Sequence, residues 1–158
     1  MKALLIFLGG CALLLAACSN NKPVKLFNTD AALPASPKYN LEGLKVITSF
    51  VNKTKGTAST LYGNDAALKS ALDGNKSLTA DEVFTLVTWK QKEDEHWFGA
   101  KIPSTVQTVE VLKTDNRGAN LVLDYNRLEG KELASPKDTL GQGERIAYIL
   151  GQKPSVMP

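Results

Sequence analysis

The stretch Val87–Pro103, VTWKQKEDEHWFGAKIP, holds both tryptophans and the only histidine of the chain, with carboxylates and lysines crowded between them. Three kinds of chemistry could be drawn from it. A metal site would need His96 with oxygen ligands from Glu93, Asp94 and Glu95. A single imidazole excludes two-histidine sites, and consecutive carboxylates on extended backbone point to opposite sides. Lys90 and Lys92 interleave with them, which is the composition of a solvated turn between strands, so no metal is expected. A Ser-His-Asp arrangement would use His96 as base, yet none of the serines stands in the Gly-x-Ser-x-Gly setting that exposes a nucleophile. No catalytic residue is therefore assigned. The third chemistry is stacking: Trp89, Trp97, Phe98 and Tyr62 offer ring faces to a flat ligand, although aromatic side chains in a small β-rich domain more often make core. The candidates for contact with a cofactor or ligand are His96, Trp97, Phe98 and Trp89, with the Trp97-Phe98-Gly99 turn as the expected pocket wall. Gly141-Gln142-Gly143-Glu144 lacks the Lys-Ser/Thr of a phosphate-cradling loop and reads as a flexible lead into a terminal helix.

The chain has two cysteines, Cys11 and Cys18. Cys11 lies within, and Cys18 at the end of, an apolar run that follows Met1-Lys2 and closes on small residues, the pattern of a secretory signal too short for a comfortable membrane span. Leu15-Ala16-Ala17-Cys18 resembles the bacterial lipobox, which implies cleavage before Cys18 and acylation of its thiol and new amino terminus. Ser19 at the next position, where an aspartate would favour retention at the inner membrane, points to the outer membrane facing the periplasm. With Cys11 removed and Cys18 acylated, no cysteine is left for disulfides, thiolate metal sites or covalent haem attachment. The charges nearly balance, 19 Lys and Arg against 16 Asp and Glu with no block of one sign, so nucleic acid has no electrostatic footprint here.

The elements that must position these residues follow from local pattern. Ser19 to Tyr39, with Pro23, Pro34 and Pro37 and few large apolar side chains, reads as a spacer. The expected division is a signal peptide at 1–17, a lipidated N-terminus and flexible spacer at 18–40, and one domain at 41–158. Leu44–Val51 and Thr57–Leu61 read as strands joined by a turn over Asn52–Gly56. Asn64 can cap a two-turn helix with Leu68 and Leu72 on one face and Gly74 just past its end. Thr79-Ala80-Asp81-Glu82 fits a helix capping box, but Val83–Trp89 is rich in β-branched and aromatic residues and reads as a central strand, apolar on both faces. Thr105–Lys113 and Ala119–Leu128 read as a hairpin across Thr114–Gly118. Ile146, Ile149 and Leu150 share one face of a last short helix. Strands and helices without βαβ alternation predict an α+β domain with a mainly antiparallel sheet and a few short helices.

Three segments in this order, STLYGNDAAL at Ser59–Leu68, VTWKQKEDEHWFGAKIP and ERIAYILGQKPSVMP at Glu144–Pro158, resemble the cytochrome P-460 domain family, in the branch that carries Leu-Tyr-Gly-Asn, Thr-Trp-Lys-Gln and Trp-Phe-Gly. The resemblance runs from about Leu44 to the end. It implies an exported, often dimeric protein with an antiparallel sheet and a few helices. In haem-bearing members a c-type haem is attached through Cys-x-x-Cys-His near the C-terminus and a lysine is linked to the porphyrin; some oxidise hydroxylamine, and related ones bind nitric oxide. This chain departs at that place, since no cysteine follows Cys18 and no histidine follows His96. The cross-linked lysine stays open among Lys69, Lys76, Lys90 and Lys101. The expectation is a membrane-anchored periplasmic lipoprotein without covalent haem, a non-enzymatic or structural module for a small molecule or protein partner, with a homodimer as a further expectation. The alternative is a redox or nitric-oxide-binding protein that holds haem non-covalently through His96 or Met157.

Overall fold

The computed structural model of the chain describes residues 27–130, 132–136 and 140–155. The expected signal peptide, Cys18, the first part of the spacer and Met157 lie outside these residues. The frame is one antiparallel sheet whose strands follow in chain order: β1 (Lys45–Asn52), β2 (Thr57–Gly63), β3 (Val83–Glu93), β4 (Lys101–Arg117) and β5 (Asn120–Glu129). Between β2 and β3 stands helix α1 (Asp65–Leu72), and after β5 helix α2 (Gln142–Leu150). The expected α+β class is thereby corrected: the described fold is mainly β, a single meander sheet with two short helices. The difference comes from strand length. Lys101–Ser104 lies beyond the expected start of β4, yet its first residues pair with Gln91–Glu93 past an irregularity in the ladder. Thr114–Arg117, expected as turn, stays paired with Asn120–Leu123. Only Gly118, at φ 69°, and Ala119 make the reversal, because a tight hairpin needs a residue at positive φ and tolerates polar side chains beside it.

Alternation along the strands gives the sheet two apolar faces. On one, Ile47, Leu61, Phe84, Leu86 and Leu112 pack under Ala67 and Ala71 of α1 and Ile149 of α2, with Ile146 and Leu150 beside them. Helix α1 buries its alanines and leaves Leu72 68% exposed, so the expected Leu68–Leu72 face is not the one it buries. The small face allows a close approach: a Cβ on Gly63 would come within 2.6 Å of Ile47 Cδ1 and 3.0 Å of Ala67 Cβ. Asn64 caps α1 as expected, its Oδ1 accepting from Ala67 N–H at 3.0 Å and its amide donating to Asp81 O at 2.7 Å.

The other face carries Val87, Trp89, Val109, Val111 and Leu128. Ala31, Leu33, Tyr39 and Leu41 pack against it, so part of the segment expected as spacer, at Ala31, Leu33 and Tyr39, rests on the sheet. The Trp89 indole N–H donates to Ala31 O at 2.9 Å, and Lys92 pairs with Asp30 at 2.5 Å. Burying the second face of β3 to β5 supplies what the proline-broken segment lacks in regular structure.

Where β3 begins, the capping-box signal is half realised. Glu82 is fully buried, and its Oε1 accepts from Thr79 N–H at 2.7 Å, as in a helix capping box, and from the hydroxyls of Thr79 and Ser70. No helix follows: Asp81 turns to φ 64°, and the Glu82 N–H donates to Thr114 Oγ1 at 2.9 Å, which joins the turn to β4. Oε2 has no hydrogen-bond partner among the described residues. Glu82→Gln keeps the acceptor and removes the charge, so its stability stays within about 1 kcal/mol of the parent, whereas Glu82→Ala strands three donors and costs about 3 kcal/mol. Urea unfolding of the two variants checks the difference.

Candidate functional site

Three of the four candidate contact residues come together, and they do so in solvent. β3 and β4 stay paired as far as Glu93 and Lys101. The chain reverses between them through an Asp94 N–H bond to Ala100 O at 2.9 Å, an Ala100 N–H bond to Trp97 O at 3.0 Å, and Gly99 at φ 78°. His96 donates its backbone N–H to Asp94 Oδ1 at 2.8 Å and is exposed. Trp97 is 72% exposed and Phe98 is fully so. The expected pocket wall at Trp97-Phe98-Gly99 is thus the exposed tip of the β3–β4 hairpin. Among the described residues no three His, Asp or Glu side chains converge as metal ligands.

Trp89, the fourth candidate, stands apart on β3 and is only 8% exposed. Its ring edge borders an open groove of about 480 Å³ on the second face of the sheet, over β1 and β2, which residues 27–41 leave uncovered. Ala58, Thr60, Tyr62 and Pro103 form the remaining wall, with Ala31 at the rim. Ser49 and Thr60, facing each other across β1 and β2, join hydroxyls at 2.9 Å. Burial raises the Tyr62 phenol above its ordinary range, so the ring stays neutral and serves as an amphipathic surface. A groove of this size, walled by two aromatic rings and lined with hydroxyls, suits a small, partly apolar molecule held by stacking and desolvation.

The most tightly built polar group lies on the helix-bearing face and was not among the candidates. Glu110 on β4 is 1% exposed. Arg145 of α2 reaches it with two parallel bonds, Nε to Oε1 at 2.9 Å and an Nη to Oε2 at 2.6 Å, and the Tyr125 hydroxyl on β5 donates to Oε1. The Arg145 guanidinium also lies 4.6 Å from the centre of the Tyr148 ring. A cavity of about 120 Å³ opens beside the cluster, bounded by Tyr125, Arg127, Ser135, Pro136 and Gln142. The sequence signal was Glu110 itself, a carboxylate between Val109 and Val111 and two residues before the buried Leu112. Its partner 35 positions away had no local signal. With both carboxylate oxygens engaged, the cluster clamps α2 to the sheet and leaves no free base.

Burial first, then the hydrogen bond and charge of Glu110, raise the Tyr125 phenol well above its ordinary value near 10. A raised phenol stabilises the fold fully below its unfolded pKa, and that contribution is lost as pH rises above 10 toward the folded value. The melting temperature of the parent chain therefore falls more steeply between pH 9 and 11 than that of Tyr125→Phe. Equal slopes would show that Tyr125 is not the responsible group.

No protein-family model matches the chain, and no curated protein matches it.

Proposed function

We propose that this chain is a lipid-anchored envelope protein, acylated at Cys18 and held at the outer membrane facing the periplasm. Its folded part is a cytochrome P-460-like domain without covalent haem that works as a non-enzymatic binding module for a small molecule or a protein partner. The observation that carries the binding reading is the groove over β1 and β2. Its aromatic walls, Tyr62 and Trp89, and its hydroxyl lining supply surface for burial and stacking, while the buried carboxylates Glu82 and Glu110 lie outside it and are engaged in holding the fold.

The position of His96 weighs against the alternative of non-covalently held haem, since an axial ligand works from the wall of an apolar pocket and this imidazole is on an exposed turn. The deciding experiment is an absorption spectrum of the protein purified from haem-replete periplasm and then titrated with hemin. The expected result is no Soret band and no saturable hemin binding. A stoichiometric band that disappears in His96→Ala would replace the binding module by a haem protein.

A further inference from the structure

The hairpin tip poses a separate question, because two large aromatic side chains, Trp97 at 72% exposure and Phe98 fully exposed, bury little in the fold. We propose that this tip is a membrane-contact surface, with Trp97 and Phe98 entering the interface of the bilayer to which Cys18 is anchored. The proposal joins three features: it rests on the acylation reading for the bilayer and for the tether to it, and on the fold for the path of the chain and the chemistry of the tip.

The first is the path of the chain. Ala31 O is bonded to Trp89, Asp30 to Lys92, and the Asn28 amide to Pro103 O at 2.6 Å, opposite Gln91. Asn28 to Ala31 therefore sit beside Trp89 to Lys92, on the tip-side part of β3 and close to its last pair, Glu93 with Lys101. The second is the length left over. The nine residues from Ser19 to Phe27 reach at most about 30 Å when fully extended, so an acyl group on Cys18 holds Phe27, and the tip end beside it, within that distance of the bilayer. Phe27 is itself 80% exposed.

The third is the chemistry of the end. Trp and Phe at the water–lipid boundary bury apolar area while the indole N–H stays within reach of headgroups. Around them Lys53 and Lys55 of the neighbouring β1–β2 turn and Lys90 are exposed cations whose long stems can lie along the interface. Lys101 pairs with Glu93 at 3.5 Å, and Lys92 with Asp30. Asp94 and Glu95 offset much of the remaining positive charge. Burial of the rings, not attraction to anionic lipid, is then the driving force, and zwitterionic bilayers suffice.

The test uses two readouts. The full acylated protein is reconstituted into phosphatidylcholine vesicles whose acyl chains are plain or brominated, and tryptophan emission is recorded. Bromine is expected to quench the component that Trp97→Phe removes and to spare buried Trp89; identical emission in the two vesicles overturns the proposal and hands the tip to a protein partner. In the second readout the mature chain from position 18, with Cys18→Ser, is floated with the same plain vesicles. It is expected to partition about tenfold better than its Trp97→Ala/Phe98→Ala counterpart, a difference set by buried apolar area and hence the same at low and high salt. Equal partition of the two chains overturns the proposal. Because both substituted side chains are exposed, their loss leaves the fold intact. Mass spectrometry of the Cys18 peptide reads the anchor independently: an unmodified thiol would remove the acylation reading, and the partition ratio would still decide the tip.

Discussion

Replacing Arg145 with alanine lowers the stability of the fold by about 3 kcal/mol, the loss expected when one partner of a buried pair is removed. The cost arises at Glu110, which is 1% exposed and would keep only the Tyr125 hydroxyl as partner for a carboxylate far from water. Loss of the guanidinium from the Tyr148 ring adds a smaller part, reduced because the Arg145 side chain is itself 33% exposed. The mechanism has its own check. If the penalty is an orphaned charge, then Glu110→Gln combined with Arg145→Met recovers more than half of it, since the amide oxygen still accepts from Tyr125 and the thioether refills the space. Denaturant unfolding of the single and paired variants measures this. A pair no more stable than Arg145→Ala would mean that the geometry of the clamp, not the stranded charge, holds α2 in place.

Trp89→Ala is the second large effect, a loss of about 4 kcal/mol as expected for truncating an aromatic ring in the core. It differs from the first in what else it undoes. Trp89 packs in the cluster of Val87, Val109 and Leu128 and also fixes the N-terminal segment through Ala31 O, so its removal loosens residues 28–41 from the face they protect. Limited tryptic digestion reads that directly: Lys38 lies within the segment, its ammonium 3.5 Å from Ser135 Oγ, and cleavage after it should accelerate in Trp89→Ala well before global unfolding. Trp89→Phe keeps most of the packing and loses the indole bond, which places it about 1 to 2 kcal/mol below the parent. Unchanged cleavage at Lys38 in Trp89→Ala would assign the attachment of the segment to Leu33, Tyr39 and Leu41 instead.

Both effects fall on residues whose importance could be read only in part from the chain. Trp89 was visible as an aromatic at the end of a β-rich run, and the pattern Val83–Trp89 correctly outweighed the capping-box signal, because alternating bulk on both faces is satisfied in a central strand and not on a single helix stripe. The tip was visible as a turn for a similar reason: a run of mixed charges cannot be buried, and Gly99 supplies the positive φ. What misled was reading Trp97 and Phe98 as pocket wall from their type alone, since a ring's surroundings depend on which way the strand pair ends. The spacer reading did not foresee the half-buried positions 31, 33 and 39, because their spacing has no period and their burial comes from the sheet's need to cover a face built elsewhere in the chain.

The sequence by itself determined the local elements: strands β1 to β3, the Asn64-capped helix, the last helix with Ile146, Ile149 and Leu150 inward, and the absence of cysteine after Cys18. Those follow from the periodicity of apolar side chains, turn and cap chemistry, and counting, none of which needs a distant partner. Only the tertiary structure decided the class of the fold, the length of β4, the partner of Glu110, the covering of one half-face by residues 27–41 and the groove left on the other half. Each of these depends on contacts across tens of residues, where a polar run such as Thr114–Arg117 is turn or strand according to whether a neighbouring strand continues beside it, and where a lone charge in a strand is a liability or a clamp according to what the next helix brings.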